Sequence, residues 1–356
     1  MMRHTPIAEE YEQHKGRVVD FHGWGLPIQF RGIIEEHQHV RSKAGVFDCS
    51  HMGEFMVCGD TAIAALSRLV IGDLAALPAG RCRYTALLDK NAGIIDDCVA
   101  LKLAPDALML VTNAAPLARV AALLEMRVPG IANISDNTAK IDVQGPLAFD
   151  VLRDNGFDDA QQLGFWNVMR RGDGVIVARA GYTGELGYEL YVPNDAAAPL
   201  WRALTSHPDV APCGLGARDT LRTEMGYPLS GQDVTIARTP LEAGMARFIA
   251  WHTDFPGKAA LEAQQAADDY QLLTPLRSLN RAAPRSGYTL RQQGRDVGVV
   301  TSGAFGPSVG CGIGLGYLPK ALAQPGTTVQ AGPRELNVVI ETPPLYKHGS
   351  GRNPVT

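Results

Sequence analysis

The chain has 356 residues, is 46% hydrophobic and 20% charged, and carries 33 Lys plus Arg against 37 Asp plus Glu, a formal charge of −4. This composition is ordinary for a globular protein of two or three domains with several cores. The charge balance and the lack of any Lys/Arg run argue against a nucleic-acid binder, and the longest apolar stretch, Ala107 to Met126, is broken by Pro116 and Arg119 and is no membrane span. Met1 to Gly16 is polar, without a signal-peptide core, and Cys49, Cys58, Cys82, Cys98, Cys213 and Cys311 form no CxxC pair. Reduced thiols in a cytoplasmic protein are therefore expected, not a zinc site or disulfide scaffold.

In chain order, a short helical segment precedes Val18–Pro27, whose Gly and Pro predict an irregular loop. Ile33–Lys43 predicts a helix. His37 and His39 are two apart, so they lie on different helical faces and read as solvent-facing side chains, not as a metal pair. Val46–Val57 reads as a strand or a loop running into one, and Ala62–Leu69 as a helix. The turn formers Asp89–Gly93 then predict a hairpin. On its outgoing strand Asp96 shares a face with Cys98, Ala100 and Lys102, whereas Asp97 shares one with Ile95, Val99, Leu101 and Leu103. That second face is apolar, so Asp97 needs a strong donor, a raised pKa or a ligand. A structural carboxylate capping backbone amides fits the pattern as well as a site residue does.

Leu108–Thr112 predicts a strand ending at Asn113, Leu117–Met126 an amphipathic helix, and Ala139–Val143 a strand followed by a helix through Leu152. Gly174–Arg179 and Tyr188–Val192 read as strands around the Gly-rich string Gly181–Pro193. That string lacks both GxGxxG and GKS/T, so it is no phosphate loop; Glu185 and Glu189 suit a ligand rich in N–H donors. Ala217–Glu224 alternates charge at helical spacing, which by pattern alone reads as a solvated, salt-bridged face. Asp254–Pro275 turns polar and reads as a boundary helix and linker. Beyond it, short strands at 287–291, 297–301, 312–318, 327–331 and 336–342 predict a small barrel.

Several strings together resemble the aminomethyltransferase (T-protein) family of the glycine cleavage system. They are Asp20-Phe21-His22-Gly23-Trp24, Phe47–Met52, Gly93–Asp97, Gln144-Gly145-Pro146, Gly181–Pro193, Cys213–Arg222, Thr239–Gly244, Thr301-Ser302-Gly303 and Pro344–Lys347, in the right order over almost the whole chain. The resemblance implies an α+β, three-domain cloverleaf around a central folate pocket, with two α/β sandwich-like domains and a C-terminal β-barrel. It places residues 1–50 with 137–253 in the first domain, 51–136 in the second and 275–356 in the barrel, with 1–253 forming the folate-binding region.

By the same resemblance Asp97, Arg285 and Asn113 stand at the reaction centre. Glu189 would accept from the amino-pyrimidinone edge of the pterin, Tyr182, Tyr84 and Met52 would line the ring, and Arg218 would sit near the p-aminobenzoyl-glutamate tail. The implied reaction uses tetrahydrofolate as co-substrate, no metal, and a lipoylated carrier protein (H-protein) as partner. It gives ammonia and 5,10-methylenetetrahydrofolate. Ser230 and Arg247 depart from the family's usual aromatics, which leaves as an alternative a folate-dependent demethylase acting on a small sulfonium, amine or methoxy donor.

Overall fold

A computed structural model describes residues 2–355. Alternating apolar residues make Thr138–Gln144 and Gly187–Pro193 the central strands of a six-stranded sheet, in the order 168–170, 176–178, 187–193, 138–144, 44–48, 210–212. The last pairing is parallel and the others antiparallel. Ile141, Val143, Tyr188 and Leu190 face the helices Ala148–Asp154 and Asn194–Thr205, where Trp201 is wholly buried. A second, antiparallel sheet runs 82–88, 94–104, 107–112, 53–58, 132–133. Its outer face buries Phe55, Val57, Cys98, Ala100, Leu108 and Leu110 beneath helices Asp60–Ser67 and Leu117–Arg127.

The remaining faces of the two sheets abut. Cys82, Leu101, Met109 and Val111 of one pack against Val168, Ile176, Ala178 and Tyr191 of the other. At roughly 1.5–3 kcal/mol for each large apolar side chain fully withdrawn from water, this seam is strong enough to fix the sheets rigidly together. The edges are also joined through the backbone, Cys82 N to Trp166 O at 2.9 Å and Val168 N to Gly80 O at 2.9 Å. The third lobe is a closed barrel, in the order 271–278, 311–319, 295–306, 289–292, 328–331, 336–340, around Leu276, Leu290, Val300, Leu318, Val329 and Val338. The chain is thus a three-lobed α+β protein.

The structure corrects several local expectations. Val18–Pro27 is not an irregular loop: Arg17–Phe21 and Trp24–Gln29 pair as a hairpin. His22 and Gly23 take positive φ (54° and 85°) in its two-residue turn, and Asp20 accepts from Gly23 N at 2.8 Å. The polar segment read as a boundary helix and linker to Pro275 ends inside a barrel strand, Gln271–Ser278. Val234, Leu241, Met245 and Ile249, within the 137–253 region, and Phe255 and Leu261, within the expected boundary segment, are buried against Ile71, Ala86 and Ile94 of the 51–136 region. His37 is wholly buried, bonded to Thr220 Oγ1 at 2.8 Å and Ser308 Oγ at 2.7 Å, because the barrel covers its helix.

For the same reason the helix Leu215–Met225 is no solvated face. Arg222 is 1% exposed and donates to Asp233 (2.6 Å), Asp219 (2.8 Å) and Ser302 Oγ of the barrel (2.7 Å). Replacing Arg222 by Met leaves the wholly buried Asp233 without its cation. We expect a loss of about 3–5 kcal/mol in unfolding free energy, read as a lowered denaturant midpoint.

Candidate active site

The three lobes enclose one cavity of about 2240 Å³, and Asp97, Asn113, Glu189, Tyr182, Tyr84, Met52, Arg218 and Arg285 all line it. The strand Ile94–Ala104 crosses its floor. Both faces of this strand are covered, so an apolar face did not single out the deeper acid. Contrary to the periodicity argument, Asp96 is the wholly buried carboxyl, on the helix-facing side, while Asp97 is half-buried and faces the cavity.

Asn113, the first residue after the strand Ala107–Thr112, binds both acids. Its backbone N–H and Nδ2 donate to Asp96 at 2.9 and 2.8 Å, and Nδ2 also reaches Asp97 O at 2.7 Å and Oδ1 at 3.2 Å. Tyr84 OH donates to Asp97 Oδ2 at 2.7 Å, and Ser230 Oγ to Asp96 Oδ1 at 2.8 Å. Ser230 therefore braces the acid pair from the 228–234 loop. Burial, then repulsion from Asp97, pushes Asp96 up to about 7 against the pull of Asn113 and Ser230; burial raises Asp97 too, with Tyr84 opposing. Burial thus disfavours charge on both carboxyls, and most on Asp96, the deeper member.

Across the cavity lies a buried charge array on the strands 138–144 and 187–193. Lys140, 1% exposed, contacts Asp142 Oδ1 at 2.5 Å and Glu189 Oε1 at 3.2 Å. Arg218 Nη1 donates to Asp142 Oδ2 at 2.9 Å, and Tyr191 OH to Glu189 Oε2 at 2.6 Å. Burial opposes charge on Lys140 and Asp142, yet each holds the other ionised: Lys140 is raised above its ordinary value and Asp142 lowered. Tyr182 stacks on Tyr227 with centroids 5.8 Å apart, and Arg218 lies 4.9 Å over the Tyr182 ring. His51 also lines the cavity, but burial first, then Arg218, pushes it down to about 3, so it is a neutral wall residue.

The barrel contributes Arg285. A Cβ at Gly303 would stand 1.6 Å from Pro284 O, so only glycine lets the 282–285 loop lie on the strand 295–306 and present Arg285 to the cavity. Arg247 is exposed at the cavity wall beside Phe248. Glu185, unlike Glu189, is tied up structurally: it accepts from Arg41 at 2.8 Å and from Ser350 N at 2.9 Å. This contact, with Gly351 N to Gly184 O (3.0 Å) and Leu345 N to Glu224 O (2.7 Å), straps residues 343–352 across one side of the cavity.

Residues 7–253 match the GCVT N-terminal domain family, and residues 272–347 match the glycine cleavage T-protein C-terminal barrel domain. The chain belongs to the glycine cleavage T-protein family. Among similar relatives, an aminomethyltransferase of Halalkalibacterium halodurans is 37% identical over 98% of this chain and 99% of its own length. One from Bacillus subtilis is 37% identical over 98% and 100%. The crystal structure of glycine cleavage system aminomethyltransferase T from Bartonella henselae matches with a TM-score of 0.92 at 32% identity, covering 98% of this chain and 99% of that one.

Within this T-protein fold, sequence reasoning missed Asp96, Lys140, Asp142 and Tyr191 as members of the site. Lys140 and Asp142 alternate with Ala139, Ile141 and Val143, a pattern that reads as a strand with one wet face. Here that face is covered by the second sheet. Because folded Asp96 holds a proton that the unfolded chain releases near pH 4, it favours folding at low pH, and this contribution is lost as pH rises from about 4 to about 7. The stability difference between the protein and its Asp96→Asn variant should shift by about 2 kcal/mol against the parent between pH 5.5 and 8 in urea titrations. A pH-independent difference would mean that Asp96 stays ionised.

Proposed function

We propose that this cavity carries out the aminomethyl transfer of the glycine cleavage system, with tetrahydrofolate and the aminomethyl-lipoyl arm of a carrier protein as its reactants. Aminomethyltransferase is the activity of the family. The observation that supports the placing of both reactants is that Asp97 and Glu189, from different sheets, line a single cavity. Its volume exceeds the roughly 300–1,000 Å³ of a pocket for one small ligand, as two bulky partners require. Among the described residues no helix is long and apolar enough to cross a membrane.

The donor set fits a reduced pterin. Each Glu189 oxygen spends one lone-pair direction on Lys140 or Tyr191 and keeps another for an N–H of the amino-pyrimidinone edge. Tyr84 and Tyr182 offer ring faces, and the Arg218 guanidinium, held by Asp142, suits the glutamate end. In the reaction the one-carbon unit leaves the lipoyl sulfur for the folate nitrogens, ammonia departs and the dihydrolipoyl carrier is returned, with no net oxidation. Asp97, oriented by Tyr84 and Asn113, supplies fixed negative charge where positive charge builds on the transferring carbon. The cavity itself holds the reactants in line and excludes water.

The deciding experiment mixes the protein with tetrahydrofolate and aminomethyl-lipoyl carrier and follows ammonia and folate product. Equal amounts of ammonia and 5,10-methylenetetrahydrofolate are expected. A 5-methyl product formed from a small methyl donor, without ammonia, would replace this reading with the demethylase.

A further inference from the structure

The Glu189 carboxylate sits among charged and titratable groups from four strands: Lys140, Asp142, Tyr191, Cys82, Glu54 and, from the helix Leu215–Met225, Arg218. Charges alternate along a line, Arg218–Asp142–Lys140–Glu189, and so balance without any contribution from solvent. Glu54, wholly buried on the strand Gly53–Cys58, stands outside that balance. Neither of its oxygens meets a hydrogen-bond partner, and burial pushes its carboxyl well above the usual range, so it is a neutral acid. The cluster therefore contains three carboxyls and two cations, and Lys140 is the cation in contact with Glu189.

We propose that Lys140, anchored by Asp142, together with Tyr191, is the positioning device that fixes the Glu189 carboxylate and turns its free lone pairs into the cavity, and so sets the affinity for the N–H edge of the pterin. The inference rests on the reading of Glu189 given above. It assigns to Lys140 and Tyr191 a role in ground-state binding and none in the chemical step. Asp142 separates the two cations: it takes Arg218 on one oxygen and Lys140 on the other. Without Lys140, Glu189 Oε1 loses the contact that fixes it, and the carboxylate is free to turn its lone pairs away from the cavity.

The test measures the KM for tetrahydrofolate and kcat across pH 6.5–8.5 in Lys140→Met, Lys140→Arg and Tyr191→Phe, beside the parent protein. In Lys140→Met the KM should rise about tenfold or more, with kcat changed less than about twofold. Lys140→Arg should restore most of the affinity, and Tyr191→Phe should raise KM about three- to tenfold with kcat unchanged. A Lys140→Met protein with the parent's KM at every pH overturns the proposal, as does a parallel fall of kcat and rise of KM that Arg does not rescue. If Lys140→Met does not fold, an unchanged KM in Tyr191→Phe overturns it. A parent protein that does not use tetrahydrofolate would instead remove the underlying functional reading, so the two failures are distinct.

Discussion

Asp97→Asn should lower kcat for aminomethyl transfer by about 10²–10³-fold while the Kd for tetrahydrofolate stays within about threefold of the parent's. The asymmetry follows from the geometry. Asn keeps the shape and can still bond Tyr84 and Asn113, so the floor of the cavity is preserved. What is lost is the negative charge, and that charge matters only once the transferring carbon becomes positive. At about 1.4 kcal/mol per tenfold, the loss amounts to about 3–4 kcal/mol, the scale of one preorganised electrostatic contact in a site shielded from water. Stopped-flow turnover beside equilibrium titration of folate checks both halves. Near-normal kcat would take Asp97 out of the chemistry, and a collapse in folate binding would make it a binding residue.

Glu189→Gln should do the reverse. The amide replaces one acceptor oxygen with an N–H₂ donor that meets the N–H donors of the pterin edge head-on. It also leaves Lys140 with Asp142 alone, a contact sufficient to keep the strands in place. The Kd for tetrahydrofolate should weaken about 30–100-fold, or about 2–3 kcal/mol, as for the loss of a charge-assisted pair of hydrogen bonds. The kcat at saturating folate should change less than about threefold. Calorimetric titration gives the affinity, and an unchanged Kd would place the pterin edge elsewhere.

The order of helices and strands was legible because periodicity reports local burial directly: Ile33–Ser42, Leu117–Arg127 and the hairpin closed at Asp89–Gly93 stand where the apolar spacing and turn chemistry put them. What periodicity cannot report is what covers a polar face. Lys140 and Asp142 look wet in a strand read alone, and they are buried because a second sheet distant in sequence lies on them. The helix Leu215–Met225 failed in the same way, its charges drawn inward by Asp233 and the barrel's Ser302. The apolar character of its strand face singled out Asp97, but both faces of that strand are covered and its neighbour Asp96 is the deeper acid. The strand Gln271–Ser278 was obscured by Pro275 and by the Ala/Gln-rich helix before it.

The segment 343–352 belongs to neither sheet and lies past the last barrel strand, Leu336–Ile340, yet it forms a wall of the reaction chamber. The chamber is finished by a length of chain that has no regular structure of its own. It is held there by Gly184, Glu185 and Glu224, so its seat depends on residues from two other segments. A deletion that looks harmless on a diagram of secondary structure would open this enzyme to solvent.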